Sequence, residues 1–197
     1  MKTENEILKI ILKQFTTRWT ITELSKEIKL SRTGTWKVLK KLESKKLIFL
    51  SKMNKGKTST FNIALNWENP LLEKNLSLIL TEESLKNQRW LYNFSELDKK
   101  TDFLILYGSI LHSPKEAEDI DILGVVSNKN NFLLIENILQ KIQKSQIKKI
   151  HLEIFTNNEF YNEIKKPNKI FIEAIKKGAV LFGQEKFIKF IKNILLK

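Results

Sequence analysis

Two aspartates stand two residues apart, Asp119 and Asp121, in the run Asp119-Ile120-Asp121-Ile122-Leu123-Gly124-Val125-Val126. Strand side chains alternate, so both carboxylates project from one face while Ile120 and Ile122 project from the other. Neighbouring carboxylates on an otherwise apolar strand repel each other and are costly to desolvate. A divalent cation relieves both problems, and Mg²⁺ takes hard oxygen ligands of this kind together with phosphate oxygens. Just upstream, Phe103 to Tyr107 reads as an apolar strand that ends at Gly108-Ser109. Glycine lets a backbone approach a ligand closely, and the N–H groups of such a turn can point at a phosphate. A phosphate cradle beside a metal-binding acid pair is the equipment of nucleotidyl transfer.

Gly108-Ser109, nine intervening residues and then Asp119-Ile120-Asp121 resemble the GS…DxD signature of the polymerase-β-type nucleotidyltransferases. Among them the small archaeal and bacterial minimal nucleotidyltransferases are the most similar. The resemblance implies two Mg²⁺ held by Asp119 and Asp121, and an NTP, expected to be ATP, whose β and γ phosphates lie on Gly108 and Ser109. Many members continue after Gly-Ser with a small residue, Arg and Gly. Here the run is Ile110, Leu111, His112 and Ser113, so His112 stands in the place of the Arg and is the candidate for its phosphate contact.

A two-metal site takes a further acid to hold the ion that activates the attacking hydroxyl, and in the resembled family that acid lies on the strand after the next helix. The corresponding run is Lys148-Lys149-Ile150-His151-Leu152-Glu153-Ile154-Phe155. His151 and Glu153 share its non-aliphatic face. Glu153 is the acid on offer and is expected as the third catalytic and metal-binding residue, as ligand or general base. His151 is expected as a supporting or surface residue. The alternative leaves Glu153 as an exposed strand residue paired with Lys149 and the enzyme weakened.

These residues need a scaffold. The chain has 197 residues, 42% hydrophobic, with 3 Pro, 6 Gly and no Cys. That composition suits one large or two small domains with a real core, and it excludes disulfides, thiolate zinc sites and a Cys nucleophile. No apolar run reaches the length of a membrane span and no signal-peptide core is present, so a cytoplasmic protein is expected. The expected fold class is α+β. Residues 101–197 form the nucleotidyltransferase domain: strands 103–107, 120–126, 148–155 and Ala179–Phe182 in a mixed sheet. Helices 130–145, 157–165, 168–177 and one from Glu185 cover it. Residues 67–100 form a helical connector, one helix from Asn69-Pro70 and a second capped at Thr81.

The first third is different in charge. Residues 1–66 carry 15 Lys and Arg against 5 Asp and Glu, a net of +10; the rest carry 20 against 17, a net of +3. Such an excess points to a polyanion. Periodicity predicts helices over 4–15, from a Thr22 cap to about Ile28, and from a Ser31 cap to about Lys45, with a short strand at Trp19–Ile21. Two strands follow, Leu47–Lys52 and Thr58–Ala64, about a Gly-containing turn. Helix, helix, turn, helix and basic hairpin resemble a winged helix-turn-helix domain. That resemblance places the third helix in the major groove of double-stranded DNA, with Arg32, Thr33, Trp36 and Lys37 facing outward. Lys37, Lys40 and Lys41, and Lys52, Lys55 and Lys57 on the wing, are then expected to neutralise phosphates. The alternative gives these lysines to solvent and the module to homodimer formation.

The expected function is transfer of a nucleoside monophosphate, AMP by family analogy, from an NTP to a protein or RNA hydroxyl. Family members of this size commonly act as antitoxins on a HEPN-type toxin. The competing expectation is a DNA-binding transcriptional regulator whose second domain senses nucleotide or is inactive.

Overall fold

The computed structural model describes residues 2–53, 61–166 and 169–196. It is an α+β protein that divides into two compact units, 1–79 and 80–197, so the helical segment 67–100 is shared between them.

In the first unit, α1 (Lys2–Lys13) buries Ile7, Leu8, Ile11 and Leu12 on one face. Helix α2 (Ile21–Glu27) starts earlier than its Thr22 predicts. Thr20 Oγ1 accepts from Glu23 N and Glu23 Oε2 accepts from Thr20 N, a reciprocal capping box. Thr22 has Ser25 three residues on, which only returns a hydroxyl to the Thr22 carbonyl. Helix α3 (Arg32–Ser44) is capped by Ser31, whose hydroxyl accepts from Gly34 N at 3.0 Å. A Cβ on Gly34 would stand 3.1 Å from that hydroxyl, a tight contact. Strands β1 (Ile48–Lys52) and β2 (Phe61–Leu65) pair antiparallel. The short strand expected at Trp19 is a single bridge to Ile63. The turn between β1 and β2, with Lys55 and Lys57, lies outside the described residues.

Helix α4 (Pro70–Leu85) runs through Thr81 without the expected restart. Its buried positions, Leu72, Leu76, Ile79, Leu80 and Ser84, keep one helical stripe past that point. The break comes at Lys86-Asn87, before α5 (Gln88–Asn93) and a 3-10 turn at Ser95–Leu97.

The second unit is built on a four-stranded mixed sheet ordered β5-β4-β3-β6. Its strands are β3 (Phe103–Tyr107), β4 (Asp119–Val126), β5 (Lys149–Thr156) and β6 (Ala179–Phe182). β3 is antiparallel to β4 and β6. β4 and β5 are parallel and are joined through α6 (Phe132–Gln143), as a parallel pair needs a crossover. One sheet face, with Leu104, Leu106, Ile120, Ile122 and Ile150, packs on Trp90, Phe94, Leu97, Ile135 and Ile138. The other carries Phe103 and Phe155, which meet Phe160 of α7 (Asn157–Lys165), Phe171 of α8 (Ile170–Lys177) and Phe187 and Phe190 of α9 (Gln184–Leu195). Among the described residues no helix is long and apolar enough to cross a membrane.

Candidate functional site

The aspartates lie on the aromatic face of the sheet, at the end the phenylalanines do not reach. The antiparallel register sets Tyr107 opposite Asp121, Ile105 opposite Leu123 and Phe103 opposite Val125. Along that face the sheet therefore passes from acids to packed aromatic rings within two register steps. Burial raises the Asp121 carboxyl above its ordinary pKa; the Asp119 charge adds to this and His151 opposes it. The Tyr107 hydroxyl is pushed up to about 12, first by burial and then by the charges of Asp121, Glu153 and Asp119. This corner has an excess of negative charge with half-buried walls, a setting that favours a cation.

Gly108 leaves β3 with φ 82° and ψ −165°, a region open essentially to glycine. A Cβ there would stand 2.4 Å from Asp121 Oδ2. Backbone conformation and space thus make the same demand, and together they set the turn directly against the carboxylate. Ser109 opens a 3-10 turn, Ser109–Leu111, whose first carbonyl accepts from His112 N and Ser113 N. Gly108, Ser109 and His112 are all exposed. With Tyr107, Lys169, Ile170, Glu173, Ala174 and Lys177 they line an open cavity of about 560 Å³.

Helix α8 is pinned close to β3 by Gly178, where a Cβ would meet Ile105 Cγ2 at 2.6 Å and the Ala174 carbonyl at 2.3 Å. Lys177 pairs with Glu173 at 2.9 Å and, by hydrogen bonding, holds that carboxyl below its usual pKa. Sequence reasoning missed Lys169, Glu173 and Lys177. Their spacing is that of any solvated helix face, and only the fold carries them to the Gly-Ser turn.

The third acid is where expectation and structure part. β5 pairs with β4 in the register Asp119–Lys149, Asp121–His151 and Leu123–Glu153. His151, not Glu153, is level with the aspartates. Its Nδ1 is 3.2 Å from Asp119 Oδ2 and 3.6 Å from Asp121 Oδ1. Asp119, Asp121 and His151 each offer a ligand atom within 4.8 Å of the others, the one such group of three among the described residues. Glu153 is exposed, one register step away opposite Leu123, and its charge acts on Tyr107. The face shared by His151 and Glu153 was legible; which of them meets the acids depends on register.

The acid at the other end of β3 contrasts with this pair. Burial works against the charge on Asp102, but hydrogen bonds from Lys186, Ser127 and Asn157, at 2.7, 2.7 and 2.9 Å, outweigh it and lower its pKa. Asp102 is a satisfied anchor between sheet and helices.

In the first unit, Arg32, Thr33 and Lys37 of α3 and Lys52 of β1 are exposed. Trp36 is half-buried, its ring 5.0 Å from Phe61 of β2 with Lys40 Nζ 5.3 Å above it. Lys40 also pairs with Glu43. Lys41 and Lys45 reach Glu4 of α1 at 2.6 and 2.5 Å, so Lys41 serves in a clamp between α1 and α3. The two lysines hold the Glu4 carboxyl down at about 2 by hydrogen bonding. The site can therefore hold a cation at Asp119, Asp121 and His151, and present an exposed turn and two lysines to an anion alongside. No family model, curated protein or solved structure matches the chain.

Proposed function

We propose that the second unit is a divalent-metal-dependent nucleotidyltransferase of the polymerase-β type, acting on an NTP, by analogy ATP. One observation carries the reading: the Gly108-Ser109 turn lies against Asp121 and lines a cavity together with Lys169 and Lys177. In this reading the turn, His112 and the two lysines hold the triphosphate. Asp119 and Asp121 supply the oxygen face for the cation, which lends charge stabilisation at the phosphates. An acceptor hydroxyl attacks the α-phosphorus; its oxygen bonds to phosphorus, the α–β bridge breaks, pyrophosphate leaves and the hydroxyl proton passes to solvent. Positioning and electrostatics account for most of the rate. The acceptor is a protein or RNA hydroxyl, and a HEPN-type toxin fits the family pattern.

The two carboxylates fit a divalent cation. They do not fit the full two-Mg²⁺ arrangement, because the nearest third side chain offers nitrogen where a further oxygen is needed. No step is assigned to Glu153.

The first unit supports a winged helix-turn-helix reading: three helices, a capped α3 bearing exposed Arg32, Thr33 and Lys37, and an antiparallel strand pair tied to Trp19. With the +10 charge of residues 1–66, it makes double-stranded DNA the partner proposed for that unit, in a cytoplasmic setting. The displacement of Glu153 from the acid pair favours a second reading, a DNA-binding regulator whose second unit binds nucleotide without transferring it.

Incubation of the chain with each α-labelled NTP, Mg²⁺ or Mn²⁺ and cell lysate separates the two. Transfer predicts a labelled macromolecule; the sensor reading predicts bound nucleotide and no label.

A further inference from the structure

Three donor groups meet at the sheet corner, two carboxylates and an imidazole. The positions that would add an oxygen do not: Lys149 is level with Asp119, and Glu153 with Leu123. Two carboxylates bring two negative charges, which match one divalent ion; an imidazole ligand adds no charge. Mg²⁺ demands an oxygen octahedron and dehydrates reluctantly, whereas imidazole suits transition ions. The side chains of Asp119, Asp121 and His151 are 35%, 25% and 45% exposed, so an ion has a path from solvent.

From this donor set we propose that Asp119, Asp121 and His151 Nδ1 bind a single first-row transition-metal dication in preference to Mg²⁺, with Mn²⁺ as its spectroscopic probe. The inference rests on the nucleotidyltransferase reading for the use of the ion, and on the strand register alone for its ligands. His151 reaches the acids because β5 runs parallel to β4 in a register set by the aliphatic pairs Ile120–Ile150 and Ile122–Leu152 on the opposite face. The ligand set is thus fixed by the core. A shift by one residue along β5 would turn those aliphatic side chains out of the core, so exchange for Glu153 would need a slip of two.

A protonated imidazole could make the same contacts with no ion present, and the two roles separate experimentally. The full chain is titrated with Mn²⁺, following loss of the aqueous Mn²⁺ electron-spin-resonance signal, and the bound ion is then competed with Mg²⁺. The expected result is one Mn²⁺ per chain, displaced only by about a hundredfold excess of Mg²⁺. Spin-echo modulation from a directly bound imidazole nitrogen is expected and should vanish in His151→Ala. That variant should bind Mn²⁺ about tenfold more weakly. His151→Asp, which gives an all-oxygen set, should lower the Mg²⁺ excess about tenfold. Mn²⁺ affinity and Mg²⁺ excess unchanged in both His151 variants, or Mn²⁺ binding tightened by His151→Ala, would overturn the inference. If Asp121→Asn still abolished binding in that case, the metal-dependent reading would stand without it. A wild-type chain that takes up no Mn²⁺, with or without ATP, contradicts both.

Discussion

Asp121 Oδ2 lies so close to the Gly108 backbone that a Cβ on Gly108 would stand 2.4 Å from it. The turn is therefore packed directly against the carboxylate. Gly108→Ala forces a residue with φ 82° into a region that disfavours side chains, at a cost of about 1–3 kcal/mol, and displaces the carboxylate besides. The expected outcome is a lower urea midpoint together with loss of metal-dependent nucleotide binding. Ser109→Ala, which leaves the backbone alone, should weaken nucleotide binding with the midpoint unchanged.

The cavity beyond the turn gives a second prediction. Lys177 and Lys169 line it together with Gly108 and Ser109. A charge-assisted hydrogen bond is worth about 1.5–3 kcal/mol. Lys177→Ala is therefore expected to weaken NTP binding about tenfold or more, with a smaller effect on the monophosphate. Equal loss for NTP and NMP, measured by equilibrium dialysis, would place Lys177 away from the β and γ phosphates.

Glu4 sets a pH dependence in the first unit. Its folded pKa is depressed, from 4.5 to about 2, by the hydrogen bonds from Lys41 and Lys45. The clamp's stability is thus fully present above pH 4.5 and is lost as pH falls toward about 2. Both lysines are about half exposed, which screens the pair. Glu4→Gln is expected to cost about 1 kcal/mol at pH 7, with the difference from wild type closing below pH 4.5. Urea titrations at pH 7 and at about pH 2 check it; a gap as wide at the lower pH as at pH 7 would mean packing, not charge, holds α1 to α3.

Lys37 and Lys41 are both exposed on α3, yet the structure gives them different work. Lys37→Ala should weaken DNA binding and reduce the salt slope by about 1, with little change in stability. Lys41→Ala should instead lower stability, because it leaves the buried Glu4 with one cation fewer. If both variants lost DNA affinity and salt dependence equally, α3 would face the duplex by another side.

Much of the second unit could be read from residue order. An apolar run into Gly108-Ser109 and a strand alternating Asp119, Ile120, Asp121 and Ile122 state their own faces, because strand alternation is local. The structure keeps both strands and puts the turn beside the acids. What local rules do not contain is register. His151 and Glu153 point the same way, and only the pairing of β5 with β4 decides that His151 meets Asp121. Lys177 was hidden for a related reason: its pair with Glu173 is an ordinary i,i+4 contact until α8 is laid on β3. The shifted cap of α2 was in the sequence, since Thr20 with Glu23 completes a reciprocal box that Thr22 cannot. The unbroken α4 had its signal too, an apolar stripe that continues past Thr81.

The most direct test of the nucleotide site is an equilibrium titration of the purified chain with ATP, with and without Mn²⁺, for wild type and Asp121→Asn. Wild type is expected to bind ATP at least about tenfold more tightly with the ion. Asp121→Asn should lose that gain while keeping its circular dichroism and urea midpoint. ATP binding that ignores both the ion and Asp121, or no ATP binding at all, would contradict the account.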